Sequence, residues 1–250
     1  KRQKWSLNLK KVQRYMSIDK ISVEEISIMQ LCDSFFPTGM YTMSSGLEAL
    51  FYSKKKLRDA NELRDLINVY IEYQIGPADC TALGNSYGYA QSSDLQKLLE
   101  VDQILFSMKL VRETREAMTR SGTQLLRCVS SFITDNEILN KYQEATKTRD
   151  ASGVYPVALA VVSSTLGIPK TKAGLMMLYS LSVSLVGAAL RLGMVQHLEG
   201  QRIIHELKPS ILTTVNKNID RPLASMWQFV PDIDIIQIAH ERMGSKMFIT

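Results

Sequence analysis

Ala173-Gly174-Leu175-Met176-Met177-Leu178-Tyr179-Ser180-Leu181-Ser182-Val183-Ser184-Leu185-Val186-Gly187-Ala188-Ala189-Leu190 carries no charge between Lys172 and Arg191. Its eighteen residues reach the lower end of the ~17–25 that a membrane-spanning helix needs. Ser180, Ser182 and Ser184 dilute its hydrophobicity, and no second span accompanies it. Ser180, Ser184 and Ala188 form a small-residue stripe that lets neighbours approach closely, in membranes and outside them alike. A helix buried on all sides at the centre of a soluble bundle is the expectation, with no membrane partner.

Helical periodicity dominates on either side of this run. After Asn61, a good cap, Leu63, Leu66, Ile67 and Tyr70 follow the helical repeat. Ser93 can cap a stretch whose apolar side is Leu95, Leu98, Leu99, Val101, Leu105 and Met108. Arg112 to Arg120 is charge-rich, with Glu116 and Arg120 in the favourable i, i+4 order. Residues 134–149 are polar and predict a surface connection with some helix. Gly153 and Pro156 punctuate the start of a further apolar segment that ends near Gly167. Pro231-Asp232 opens a final helix with Ile235, Ile236 and Ile238 on its apolar side, and Gly244 can end it. Strand alternation is scarce and no linker divides the chain. An all-α, single-domain helical bundle over residues 26–250 is expected, behind a basic N-terminal extension over residues 1–25.

The net charge of +5 sits in that extension. Lys1, Arg2, Lys4, Lys10, Lys11, Arg14 and Lys20 against Asp19 give residues 1–20 a local +6, leaving the other 230 residues at −1. Such an arm is either a phosphate- or membrane-seeking segment or a solvated, partly disordered tail, and the second is preferred. No apolar signal region precedes a small-residue cleavage site. Cys32, Cys80 and Cys128 are isolated, which suits a reducing cytoplasm better than a disulfide framework.

Enzyme motifs are missing. There is no P-loop and no dinucleotide-binding glycine turn. No nucleophile elbow occurs, and no cysteine has a catalytic context. No catalytic residue is assigned. His240-Glu241 lacks the second histidine of a zincin. His197 and His205, two helical turns apart, are separated by ~12 Å and cannot share a metal directly. Twelve methionines, Met40, Met43, Met176 and Met177 among them, read first as adaptable core filler. The metal site is left unassigned. The densest charge cluster, Arg112, Glu113, Arg115, Glu116 and Arg120, is either a solvated helical face or a docking face built on arginine's bidentate geometry.

One segment narrows these options. Leu31-Cys32-Asp33-Ser34-Phe35-Phe36-Pro37-Thr38-Gly39-Met40-Tyr41-Thr42-Met43-Ser44-Ser45-Gly46-Leu47-Glu48-Ala49 contains a tight Pro37–Gly39 turn. Gly46 then permits close approach or an unusual backbone angle, and Glu48 lies in the first turn of a helix. The order of a PTG turn, an aromatic, a serine and a GLE triplet resembles the N-terminal signature of the UreF family of urease accessory proteins. Arg112 to Ala117 with Arg120-Ser121-Gly122 and Leu125-Leu126, then Tyr155-Pro156-Val157 with Leu166-Gly167, follow in that family's order. So do Ala189-Leu190-Arg191-Leu192, Gly200-Gln201, Pro231 to Ile235 and His240-Glu241. Met43 and Tyr155 stand where the family often has histidine, which weakens a nickel role for both positions. Lys246-Met247-Phe248 replaces an R-L-F ending while keeping charge and apolarity.

The resemblance implies a non-enzymatic helical homodimer. It would bind the accessory protein UreD or UreH and recruit the GTPase UreG. With them it would assist nickel insertion into the urease apoprotein, handling nickel transiently and holding no permanent cofactor. In the family the C-terminal tail contributes to the UreD/UreH contact, which carries onto His240, Glu241, Phe248, Ile249 and Thr250. Gly39, Tyr41, Ser44, Gly46 and Glu48, with Arg112, Glu113, Arg115 and Glu116, become candidates for a GTPase-facing or dimer surface. Arg191, Gly200 and Gln201 become structural or dimer candidates. The competing readings are a helical nucleic-acid-binding regulator using the basic arm, and a helical enzyme without a recognised motif. The near-neutral body disfavours the first and the motif series the second.

Overall fold

The computed structural model describes residues 22–53, 57 and 59–250. Most of the basic extension lies outside that range, although residues 23–25 already belong to the first helix. The elements are α1 (Val23–Cys32), a 3-10 turn (Met40–Thr42), α2 (Leu47–Tyr52) and α3 (Ala60–Val69). A π-helical segment (Tyr70–Cys80) joins α3 to α4 (Thr81–Gln91). Then come α5 (Leu95–Met108), α6 (Arg112–Ser130), α7 (Glu137–Thr148), α8 (Tyr155–Thr165) and α9 (Lys170–Arg191). The chain closes with α10 (His197–Asn218), a 3-10 turn (Leu223–Ser225) and α11 (Pro231–Glu241). No strand occurs among the described residues. The chain is all-α, as expected.

Local chemistry sets the boundaries, one or two residues from where sequence placed them. Asp59, rather than Asn61, caps α3 by accepting from the N–H groups of Asn61 and Glu62. Asp94, rather than Ser93, caps α5 through the Lys97 N–H. Pro156 in its first turn starts α8. The Asp102 carboxylate fixes the approach to α8, accepting from Tyr142 Oη at 2.7 Å, Ser152 N at 2.6 Å and Val154 N at 2.8 Å. Tyr142 and Leu139 make the 134–149 region a half-buried helix rather than a mere connection.

The expectation of all-round burial needs correction. It belongs to α8, whose residues 156–163 are all buried between α4, α6 and α9. α9 is the described helix long and apolar enough to cross a membrane, and 56% of its apolar window is buried in the molecule. It packs on α8 and α10, but Tyr179 remains 41% exposed. Along the small-residue stripe Ser184 Oγ donates to the Met40 carbonyl at 2.7 Å, so this side of α9 receives the short α1 and the 3-10 turn rather than a full-length helix. Beside Tyr179, Ile26, Met29, Leu175, Met176 and Ile211 line an apolar groove of about 1000 Å³.

The π segment explains how the C-terminal part is attached. Its wider winding leaves the Tyr73 and Pro77 carbonyls to accept Phe229 N at 3.2 Å and Trp227 N at 3.3 Å. Lys109 Nζ, nearly fully buried, donates to the Asp79 carboxylate and to Gln228 Oε1 at 3.0 Å. These bonds deliver residues 226–230 to the start of α11, which lies on α2 and α6.

Candidate functional site

Residues 39–48 and 240–250, 200 positions apart, form one structure. Gly39 turns the chain at φ 81°. Ser45 and Gly46 follow with φ 51° and 94°, two consecutive left-handed residues that reverse the chain into α2. Gly46 is also pressed on α11, since a Cβ there would lie 2.9 Å from Ile236 Cγ2. Both properties expected of Gly46 are therefore used. The Tyr70 hydroxyl donates to the Ser45 carbonyl and fixes the turn from below.

The C-terminal tail lies along this turn and bends at Met247 and Phe248. Ile249 N donates to Thr42 O at 2.9 Å and Ser44 N to Thr250 O at 2.9 Å. Ser44 Oγ also donates to Thr250 O, and Ser45 N to Thr250 Oγ1 at 3.2 Å. Glu48, 2% exposed, accepts Met247 N at 2.7 Å and Phe248 N at 3.0 Å. On its other side it meets His240 Nε2 at 3.1 Å. His240 Nδ1 lies 2.8 Å from Glu113 Oε2, and the Lys246 ammonium donates to Glu113.

Burial pushes the Glu48 carboxyl up, but the N–H groups of Met247 and Phe248 and the His240 ring outweigh it and hold the group below its usual range. Glu113 behaves alike: burial raises it, while Lys246 and His240 outweigh burial and hold it below its usual range. The two ring nitrogens face different carboxylates, so this triad does not chelate one ion. Among the described residues no group of three or more His, Cys, Asp and Glu side chains is placed to hold a metal.

Phe248 is 3% exposed and stacks on Arg191. The guanidinium carbon lies 4.4 Å from the Phe248 ring centroid and 3.9 Å from that of Tyr41. Arg191 Nε donates to Gly187 O at 3.1 Å, while Nη2 is buried without a hydrogen-bond partner. Burial lowers the Arg191 guanidinium, opposed by the Tyr41 hydroxyl. A groove of about 470 Å³ opens beside it, lined by Cys32, Pro37, Tyr41, Ser180 and Val183. Behind the turn a cavity of about 100 Å³ gathers Met40, Met43, Met118 and Met177 with Thr250. Met176 belongs elsewhere, on the apolar groove.

The expected charge cluster divides. Glu113 turns inward to His240 and Lys246. Arg115 donates to the Lys109 and Leu110 carbonyls, closing the loop before α6. Arg112 reaches Glu241 at 3.4 Å and Glu116 at 3.9 Å on the surface. Gly200 lets α10 approach α9, since its Cβ would meet Val186 Cγ1 at 2.9 Å, and Gln201 is exposed. His197 and His205 are exposed, with His205 Nδ1 3.3 Å from Lys208 Nζ. Lys246 and Lys109 carry ion pairs that composition and periodicity did not single out. The signal for the first was its place in the Lys246-Met247-Phe248 ending, where a basic residue is kept.

Residues 57–208 match the UreF family model. The chain belongs to the UreF family. It is 32% identical over 225 residues to the urease accessory protein UreF of Trichodesmium erythraeum (strain IMS101), covering 90% of this chain and 96% of that one. The UreF of Bacillus sp. (strain TB-90) is 29% identical over 226 residues, 90% and 98% of the two chains. UreF 1 of Brucella melitensis biotype 1 is 27% identical over 224 residues, 90% and 92%. These spans take in both the UreF-like turn and the helical body that holds it.

Proposed function

We propose that this UreF-family chain is a non-catalytic, cytoplasmic docking protein in urease maturation. It binds a UreD/UreH accessory protein and the GTPase UreG, and with them it assists nickel insertion into apo-urease. The observation that carries this is the composite surface made by the tail and the 39–48 turn. Glu48, Ser44 and Phe248 hold that surface from below. Tyr41, Met247 and part of Ile249 remain outward, where an apolar partner contact forms at little conformational cost. Nickel passes as cargo, handled transiently in the assembly rather than kept by a resident site on this chain. The apolar groove around Tyr179, Ile26 and Met29 is the face for a homodimer.

The test is co-purification with candidate UreD/UreH and UreG proteins, using the full chain and a chain lacking Gly244–Thr250. Loss of the UreD/UreH complex with the truncated chain supports the reading. Equal recovery of complex by both chains removes the tail from it. For the dimer, Tyr179→Asp is expected to shift light-scattering mass from dimer to monomer, and an unchanged mass would reject that face.

A further inference from the structure

His240 on α11 is 1% exposed and bridges two carboxylates from different helices, Glu48 on α2 and Glu113 on α6. Ionised carboxylates only accept hydrogen bonds, so satisfying both at once requires a proton on each ring nitrogen. The same two carboxylates hold the tail. Glu48 takes the N–H groups of Met247 and Phe248, and Glu113 takes Lys246. The charged groups around the ring are Glu48 from α2, Glu113 from α6 and Lys246 from the tail. Arg112 and Glu241, from α6 and α11, pair with each other at the rim. With a cationic ring, two negative charges, one buried and one half-buried, meet two positive ones. Removing one ring proton leaves a carboxylate facing a nitrogen lone pair in a site nearly closed to water, which costs both a hydrogen bond and charge balance.

We propose that Glu48–His240–Glu113 is a proton-operated latch on the C-terminal strap, closed when both ring nitrogens carry protons and released when one is lost. Release lifts residues 246–250 from the 42–48 turn. It uncovers the apolar face of Phe248 and the second face of the Arg191 guanidinium. It also removes Thr250 from the wall of the methionine-lined cavity. The carboxylates are held low by their partners, so both stay ionised as acceptors and the proton that the latch loses comes from the ring. A partner that grips the closed surface is favoured on the acid side of release, and one that grips the free strap on the alkaline side. The latch rests on tail geometry and not on the identity of any partner, so a failed co-purification leaves it intact.

The experiment is backbone amide exchange of the full chain from about pH 6 to about pH 9, corrected for intrinsic rates, with Ala158 in α8 as the core control. Protection at Met247 and Phe248 is expected to fall by about tenfold per pH unit over the part of that range where the latch releases, the slope for release linked to one proton. Protection at Ala158 should not follow. In His240→Gln the slope at Phe248 is expected to vanish. A flat profile in the wild-type chain, a slope shared with Ala158, or a slope that survives His240→Gln overturns the latch. Should His240→Gln fail to fold, nitrogen NMR of the wild-type imidazole replaces it. The ring and the Phe248 amide must then titrate with one midpoint, and separate midpoints overturn the proposal.

Discussion

Replacing Glu48 by alanine removes the acceptor shared by Met247 N, Phe248 N and His240 Nε2. The Met247 N–H is half-buried and can find water. The Phe248 N–H and the ring nitrogen are buried, and each orphaned buried donor costs about 1–3 kcal/mol. Keeping the strap closed in the variant therefore costs roughly 2–6 kcal/mol. Opening it sacrifices the burial of Phe248, about 1.5–3 kcal/mol, and the Arg191 stack, about 0.5–2 kcal/mol. Those losses are offset by the freedom regained by the last residues, at about 1–2 kcal/mol each. Opening is thus the cheaper response, and the variant should lose its strap before its fold. The readout is trypsin cleavage after Lys246, which tracks the open population when opening is fast. Even the lower bound, about 2 kcal/mol, raises cleavage about thirtyfold. Glu116→Ala, on the exposed face of α6, should leave the rate unchanged. A Glu48→Ala chain cleaved at the wild-type rate would refute the assignment of Glu48 as the strap's anchor.

Lys109→Met strands the buried Asp79 carboxylate and should lower urea-unfolding stability by about 3–5 kcal/mol, whereas Asp79→Leu with Lys109→Met should recover most of it. An additive double mutant would contradict the pairing. Glu48 and Glu113 have folded values below the ordinary 4.5, so the native state binds fewer protons than the unfolded chain there. Their contribution is complete above that range and is lost as pH falls through the folded values. Acid titration by circular dichroism should show wild-type stability falling below about pH 4.5 more steeply than that of Glu48→Gln/Glu113→Gln; parallel curves would argue against it. In Gly84→Ala the new Cβ would sit 1.8 Å from the Ile219 carbonyl oxygen, backbone against backbone. Calorimetry should show a loss of about 3 kcal/mol or more, and an unchanged Tm would show that α4 and α10 can separate freely.

Some of this was legible in sequence because the signals are local. The charge-free 173–190 run announces a core helix, and Pro37, Gly39 and Gly46 announce a turn whose backbone few other residues adopt. Caps were displaced by a residue or two because Asp59 competes with Asn61, and Asp94 with Ser93, for the same helix start. The identity of the most buried helix was not legible. α8 has half the length of α9, too short for its apolar run to stand out by length, and only the tertiary arrangement covers every side of it. Nor did composition show that Glu113 leaves the Arg112–Glu116 face to meet His240 and Lys246. That contact joins positions more than a hundred residues apart, and i, i+4 pairing offers Glu113 only Ala117 within its helix. Arg191 was marked by a motif, but its place between Tyr41 and Phe248 depends on the tail's return to the turn.

In the proposed function the tail and the turn together form a partner-docking surface. Size-exclusion chromatography with light scattering, mixing the full chain with a UreD/UreH protein, tests it most directly when the chain carries Met247→Asp and Ile249→Asp. Both side chains point outward in part and neither anchors the strap, so the variant should fold, with Phe248 and the Glu48 bonds in place. The expected result is a folded variant that elutes apart from UreD/UreH while the wild-type chain co-elutes with it. A variant that co-elutes as fully as the wild type would contradict the claim.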